Sequence, residues 1–176
     1  VEDWTGMPNR RDKLIGELSD VGNVVAITGD IHAFFAATPF VIGDASKRIV
    51  ELVTSSISSS ALRNEFVEKA SSDPAMAAAG APALAFGIIG LLQDKEKKPS
   101  PQLAYANVTD HGYAVMEVGA ETIEATFHAI DGKTDIENLY EDPSLASRFI
   151  PTHFTVKSGA NDLFHEVDGV LKRWDP

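Results

Sequence analysis

One pentapeptide in this sequence carries two side chains that bind metal ions, namely Thr28-Gly29-Asp30-Ile31-His32. A carboxylate oxygen and an imidazole nitrogen two positions apart are donors for divalent and trivalent metal ions. The apolar run over residues 23–28 predicts a central strand covered on both faces, and ligand sites in open α/β sheets lie beyond the carboxyl ends of strands. Asp30 and His32 are therefore candidate metal ligands, although the pentapeptide by itself is a weak signal. In the alternative, Asp30 caps a short helix and His32 packs as an ordinary histidine.

Alternating helices and strands position this pentapeptide within the first 70 residues. The apolar spacing predicts a helix over residues 8–20 and a second buried strand over residues 49–54. A further helix is expected over residues 60–70, with Leu62, Phe66 and Val67 on its apolar face and a serine-rich entry that caps it. This order is typical of an α/β layer.

The second half of the chain has a different pattern. Residues 71–102 form an Ala-, Gly- and Pro-rich insertion or lid. Apolar and polar residues then alternate over 103–108, 113–118 and 122–130, which predicts an antiparallel meander. Residues 152–156 predict a further strand, whereas residues 163–174 fit a strand or a helix equally well. We predict an α/β (α+β) fold with residues 1–176 in a single domain.

Composition excludes several classes of function. The 176 residues contain 26 Asp and Glu against 15 Lys and Arg, and the net charge of −11 disfavours nucleic-acid binding through a basic face. The chain has no cysteine, which excludes disulfides and thiol nucleophiles. Residues 74–92 are apolar but include Pro82 and three glycines, so no membrane span is expected. Because the chain begins at Val1 without a leader, we take it to be a fragment.

Two alternatives from other functional classes stay open. The serines of residues 55–60 could include a nucleophile, and a serine esterase would use Ser56 with His32 as its base. Such an enzyme would be insensitive to chelators. The chain could also be a non-catalytic binding or assembly module, in which the meander and the Ala/Gly-rich segment contact another chain.

Four blocks of sequence carry a family resemblance. They are Trp4-x-Gly6-x-Pro8-x-Arg10, Asn23-Val24-Val25-x-x-Thr28-Gly29-Asp30-x-His32, Glu51-x-Val53-x-Ser55-Ser56-Ile57-Ser58 and Gly112-Tyr113. In order and spacing they resemble the C-terminal half of the PhoD-like alkaline phosphatases, members of the calcineurin-like metallophosphoesterases. The family commonly has Arg before its Gly-Tyr pair, whereas this chain has His111.

The resemblance implies a fold and an activity. The fold is the C-terminal half of a four-layer αββα sandwich, and the activity is hydrolysis of phosphate monoesters or diesters by a metal-bound hydroxide, with no catalytic side chain of this chain as nucleophile. Asp30 and His32 would belong to the last metal-binding block, and two or more metal ions are implied, with iron and calcium as the metals suggested. Trp4 and Arg10 are candidate substrate contacts.

The resemblance also bears on partners. The other metal ligands should precede Val1, so the isolated chain is expected to be inactive or nearly so. Either the missing N-terminal half or a second copy of the chain should cover its incomplete sheet. A phosphate ester is the expected substrate, and a periplasmic or secreted location is expected from the family.

Overall fold

The computed structural model describes residues 6–93, 100–131 and 141–175, and these form helices and strands in alternation followed by a run of strands. The helices are α1 (Pro8–Val21), α2 (Leu62–Ser72), α3 (Pro74–Ala78), α4 (Ala81–Gln93) and α5 (Leu145–Arg148). The strands are β1 (Val25–Thr28), β2 (Phe34–Ala37), β3 (Phe40–Val41), β4 (Asp44–Arg48), β5 (Val50–Val53), β6 (Leu103–Asn107), β7 (His111–Val118), β8 (Thr122–Ile130), β9 (Ile150–Lys157), β10 (Leu163–Val167) and β11 (Val170–Arg173). This architecture confirms the predicted mixed α+β class, while the four-layer sandwich stays a prediction.

A four-stranded sheet with the order β1-β5-β2-β6 contains the strand that precedes the candidate site. Strands β1 and β5 are parallel, and β2 pairs antiparallel with both β5 and β6. Because β1 and β5 are parallel, their carboxyl ends meet at the same edge of the sheet. The short hairpin of β3 and β4 lies outside this sheet.

The sequence prediction for β1 was partly wrong. A strand is present, but it is the first strand in the order of the described sheet, and Ile27 is 58% exposed. Val25 does pack against the core. An apolar run indicates that a strand is suited to burial. It does not establish that other described segments cover both faces of that strand.

The prediction for residues 103–108 was also wrong in part. They form β6, which pairs with β2 in the first sheet instead of joining the meander. Alternating residues show that one face of a strand is covered and contain no information on its partner strand. Tyr105 of β6 packs against the same core as the meander strands. The alternation of apolar and polar residues over 103–108 is therefore compatible with a place in either sheet.

A five-stranded antiparallel sheet with the order β11-β10-β9-β8-β7 confirms the predicted meander for β7 and β8. The strand expected at residues 152–156 is present as the longer β9. Residues 163–173, for which strand and helix were both open, form the hairpin of β10 and β11.

The core lies between the two larger sheets. Phe34 and Leu52 from the first sheet and Phe127 and Phe154 from the second are completely buried in one cluster. The rings of Phe34 and Phe127 stack with their centroids 5.2 Å apart. Burial of these apolar side chains stabilises the packing of the two sheets, and the packed sheets position the loops at their edges.

An ion-pair cluster centred on Asp162 joins β4 to the last hairpin. Arg48 of β4 donates a short hydrogen bond to Asp162, and Arg173 of β11 donates one of 3.0 Å. Burial raises the pKa of Asp162, but the hydrogen bonds from Arg48 and Arg173 lower it by more, so that the net shift is downward.

Asp162→Asn is expected to lower the free energy of unfolding by roughly 1–2 kcal/mol at pH 7, because both arginines lose a charged acceptor. A carboxyl group with a lowered pKa in the folded state stabilises the fold above its unfolded pKa and loses this effect as the pH falls through the folded value. The difference from wild type should therefore begin to shrink below about pH 4 and vanish only below the lowered pKa of the folded state. Urea unfolding at pH 7 and pH 3 measures it. Asp168→Asn, at an exposed turn position without an ion pair among the described residues, is the matched control, and equal effects of the two variants at pH 7 would contradict the prediction.

Candidate functional site

The loop after β1 has an unusual backbone at the two predicted metal ligands. Asp30 has φ 72° and His32 has φ 56°, so both non-glycine residues adopt the left-handed conformation. Each such residue costs about 1 kcal/mol or more, and backbone strain of this kind concentrates at ligand-binding and catalytic sites. The loop lies where β1 ends, next to the carboxyl end of β5, which is the predicted location.

Contacts from two other segments hold this loop. The amide of Thr54, just after β5, donates to the carbonyl of Thr28 at 3.0 Å. The amide of Leu62, the first residue of α2, donates to the carbonyl of His32 at 2.9 Å. The first amides of a helix have no partner within the helix, so the His32 carbonyl satisfies one of them and ties α2 to the loop.

The serine cap predicted for α2 was wrong. The residue before the helix is Ala61, which makes no side-chain hydrogen bond to it. The carbonyls of His32 and Val108 accept from the amides of Leu62 and Arg63 instead, the latter at 3.0 Å. Both acceptors are distant in sequence, and capping preferences describe only local partners.

The imidazole of His32 has a defined orientation. Its Nδ1 lies 2.9 Å from the Ser60 carbonyl oxygen and 2.9 Å from Glu65 Oε1. Both groups are acceptors, so the neutral ring carries its proton on Nδ1 and keeps the lone pair on Nε2. No described group forms a hydrogen bond with Nε2. Metal-binding histidines commonly donate their other nitrogen to a carboxylate or a carbonyl in this way.

Glu65 was missed by the sequence analysis. It lies in the first turn of α2, where an acidic residue is ordinarily explained by the helix dipole. Its contact with His32 joins residues that are 33 positions apart. The left-handed turn and the helix start bring the two together, and no local sequence signal encodes that approach.

Asp30 is exposed beside His32 in the same loop. An exposed carboxylate together with an imidazole Nε2 lone pair fits a metal ion that takes oxygen and nitrogen ligands. Within the described ranges there is no group of three or more His, Cys, Asp or Glu residues that could hold a metal ion. Asp30 and His32 therefore have the donor types of part of a ligand set but do not form a complete set among these residues, and their role as metal ligands stays a prediction.

The serine cluster has structural partners. Ser55 Oγ donates to the Asp110 carbonyl at 2.9 Å, and Ser56 Oγ donates to the Ser59 carbonyl at 2.6 Å. Ser56 Oγ also lies 3.4 Å from Nδ1 of His111, which is only 2% exposed. No hydrogen bond joins Ser56 to His32 in the described part of the chain, so the pair that a serine esterase would need is not formed.

Of the two candidate substrate contacts, only Arg10 lies among the described residues, and no described interaction brings it to the loop after β1. Arg10 is exposed on α1, and no hydrogen bond or ion pair connects it to Asp30 or His32 among the described residues. The neighbouring Arg11, in contrast to Arg10, donates hydrogen bonds within the fold, to the Phe40 carbonyl oxygen at 3.1 Å and to Gln102 Oε1 at 2.7 Å. Trp4 lies outside the described residues. A substrate role for either stays a prediction.

The Gly-Tyr block ties the second sheet to the serine loop. Gly112 has φ 148°, and a Cβ at this position would lie 1.9 Å from the carbonyl oxygen of His128. Only glycine can occupy such a position. The amide of Gly112 donates to the Ser56 carbonyl at 3.0 Å. The close approach of the His128 carbonyl oxygen is a sufficient physical reason for glycine at position 112, and no substrate contact is needed to explain it.

Parallel strands that end at one edge, with a carboxylate and an imidazole in the loop beyond β1, define a mixed α+β protein with its candidate site at a sheet edge. A family model described as PhoD-like phosphatase matches residues 1–127, and the chain belongs to this family. The comparisons with curated proteins and with solved structures gave no significant match. Family membership confirms the resemblance and indicates a hydrolase of the phosphatase type. None of the helices formed by the described residues has the length and apolar character needed to cross a membrane.

Proposed function

We propose that this chain supplies part of the active site of a metal-dependent phosphatase that hydrolyses phosphate monoesters or diesters. The observation that carries the proposal is His32, which donates Nδ1–H to Ser60 and Glu65 and leaves Nε2 for a metal ion at the carboxyl edge of β1. Family membership supports the choice of phosphate esters as substrates.

The residues of this chain have distinct tasks in the proposed site. Asp30 contributes a carboxylate ligand and His32 a neutral imidazole ligand. Glu65 and the Ser60 carbonyl orient the imidazole and set its tautomer. When bound, the metal ions activate water and neutralise charge on the phosphoryl oxygens. Iron and calcium are the metals we propose, since both accept carboxylate oxygen and the softer imidazole suits iron.

The remaining ligands are proposed to come from residues beyond the described part of the protein. Two protein ligands do not hold a cluster of two metal ions, because such sites collect carboxylates and imidazoles from several strands. A segment that extends the first sheet beside β1 would place its own strand ends next to Asp30 and His32 and would cover Ile27. The proposed enzyme is therefore complete only with that segment.

The direct test measures hydrolysis of 4-nitrophenyl phosphate by the intact protein before and after chelation. We expect a chelator to abolish hydrolysis and one of the two proposed metals to restore it. Hydrolysis that persists after the bound metal has been removed would contradict the proposal.

Glu65→Ala is expected to lower metal affinity about 10–100-fold, the usual effect of removing a carboxylate partner from a metal-binding histidine. Glu65→Gln keeps an acceptor for Nδ1–H and should retain most of the affinity. Titration calorimetry measures the affinity, and the ¹⁵N shifts of the His32 ring without metal report the tautomer. Glu68→Ala, at an exposed position of the same helix, is the matched control. If Glu65→Ala and Glu68→Ala behave alike in both measurements, Glu65 does not position His32.

A further inference from the structure

The serine-rich loop after β5, residues 55–60, has no task in the proposed function except at its last carbonyl group, which accepts from His32. The hydrogen bond that one ring nitrogen of a histidine donates determines which nitrogen keeps the lone pair. The residues that fix the Ser60 carbonyl are therefore positioning residues of the proposed metal site.

Three consecutive residues around the start of β7 hold the beginning of the loop. Ser55 is 7% exposed, and its Oγ donates to the Asp110 carbonyl at 2.9 Å. The amide of Gly112 donates to the Ser56 carbonyl at 3.0 Å. Between these two contacts, Nδ1 of the buried His111 lies 3.4 Å from Ser56 Oγ. Because β7 belongs to the second sheet, that sheet fixes the start of a loop that leaves the first sheet.

Ser56 also closes the loop on itself. Its Oγ donates to the Ser59 carbonyl at 2.6 Å, so the one proton of the hydroxyl is already used. The contact with His111 is then donated by Nδ1–H of that ring, and Ser56 Oγ accepts it. Since a peptide group is planar, the hydrogen bond to the Ser59 carbonyl also fixes the amide and the α-carbon of Ser60.

The far end of the loop is fixed by the start of helix α2. Ala61 is completely buried, and the Leu62 amide donates to the His32 carbonyl at 2.9 Å. The Ser60 carbonyl therefore lies between a hydrogen-bonded peptide group on one side and a buried helix start on the other.

Helix α2 itself is anchored by part of its expected apolar face. Leu62 and Val67 pack against the buried cluster around Val108. Phe66, which was expected on the same face, is 55% exposed. The packing of Leu62, the first residue of the helix, keeps the helix start next to His32.

We propose that the serine loop is a positioning element of the metal site, in which Ser56 and His111 fix the Ser60 carbonyl and thereby hold the His32 ring with its Nε2 lone pair available. This inference rests on the proposed function and deepens it by naming the residues through which the second sheet controls the metal ligand. The Ser56 hydroxyl acts here through hydrogen bonds and not as a nucleophile.

Three variants of the intact protein test the role of the Ser56 hydroxyl, with titration calorimetry under anaerobic conditions as the measure of Fe²⁺ affinity. Ser56→Ala should lower this affinity about three- to tenfold, which is the contribution of one hydrogen bond to an equilibrium. Ser56→Thr keeps the hydroxyl and should retain most of the affinity. Ser58→Ala is the matched control, since Ser58 is exposed and makes no side-chain hydrogen bond among the described residues. Equal affinities of Ser56→Ala and Ser58→Ala would overturn the proposal.

The ¹⁵N shifts of the His32 ring in the metal-free protein distinguish positioning from a purely structural role. In the neutral ring, Ser56→Ala should lower the ratio of the Nδ1–H to the Nε2–H tautomer about three- to tenfold, because the Ser60 carbonyl is no longer held. Urea unfolding measures the stability of the same samples. If Ser56→Ala loses stability but keeps the wild-type tautomer ratio, the serine only stabilises the loop and the proposal is overturned.

Two substitutions of His111 test the second positioning residue. Asparagine presents an N–H donor near the position of Nδ1, whereas leucine is of similar size and has no donor. We expect His111→Leu to lower the His32 tautomer ratio about twofold and His111→Asn to stay closer to wild type. In the Ser56→Ala protein, His111→Leu should have no further effect, because the contact they share is already lost. Fully additive effects would overturn the role of His111.

The two readouts separate failure of this inference from failure of the proposed function. If the wild-type protein binds neither Fe²⁺ nor Ca²⁺, the proposed function fails, and the tautomer ratios of the metal-free proteins still decide whether the serine loop positions His32. If the wild-type protein binds metal and Ser56→Ala changes neither the affinity nor the tautomer ratio, the inference alone fails.

Discussion

His32→Ala is expected to remove metal from the intact protein and to lower its phosphatase kcat/KM by about a thousandfold or more. Loss of a metal-orienting partner already reduces affinity about 10–100-fold, and loss of the ligand itself should exceed that. Metal stoichiometry measured by elemental analysis and hydrolysis of 4-nitrophenyl phosphate should decline together.

Two further variants control this experiment. His32→Asn also removes the imidazole, but asparagine tolerates the left-handed backbone that His32 adopts at φ 56°. It should lose metal and activity to the same extent while it unfolds close to the wild-type temperature. His153→Ala makes the same substitution at an exposed position of β9 and should change neither quantity. Wild-type metal content and turnover in His32→Asn would show that the role of His32 is structural.

Gly112→Ala is expected to destabilise the fold by roughly 3–5 kcal/mol, enough to unfold many domains of this size. The added Cβ would lie 1.9 Å from the His128 carbonyl oxygen and 3.1 Å from the Phe34 ring. Neither neighbour can move freely, because one is backbone in the β7–β8 ladder and the other is a buried core residue. The positive φ adds strain for any side chain.

The same substitution at Gly87 should have the opposite sign. Gly87 lies in helix α4, and nothing stands within 4 Å of its added Cβ. Alanine there should stabilise the fold by about 0.5–1 kcal/mol, because glycine is a poor helix former. Urea unfolding of both variants measures the difference. Gly112→Ala within 1 kcal/mol of wild type would show that β7 and β8 can separate at this point without loss of the fold.

The local pattern of the sequence was sufficient for several elements and for the position of the candidate ligands. The spacing of apolar residues over 8–20 corresponds to α1, and the alternation over 122–130 corresponds to β8. The apolar run ending at Thr28 correctly placed Asp30 and His32 beyond a strand. These predictions hold because periodicity and turn chemistry depend on neighbours in the chain. The four sequence blocks were also sufficient for the family.

Only the tertiary structure decided the surroundings of His32 and Gly112. Glu65 and Ser60 approach His32 from 33 and 28 positions away, and the carbonyls of His32 and Val108 replace the expected serine cap. The local sequence pattern likewise could not predict which sheet β6 joins or that Ile27 is exposed. The physical reason is the same throughout. Sequence periodicity specifies that a face is covered or that an amide needs an acceptor, whereas chain topology selects the residue that meets that need.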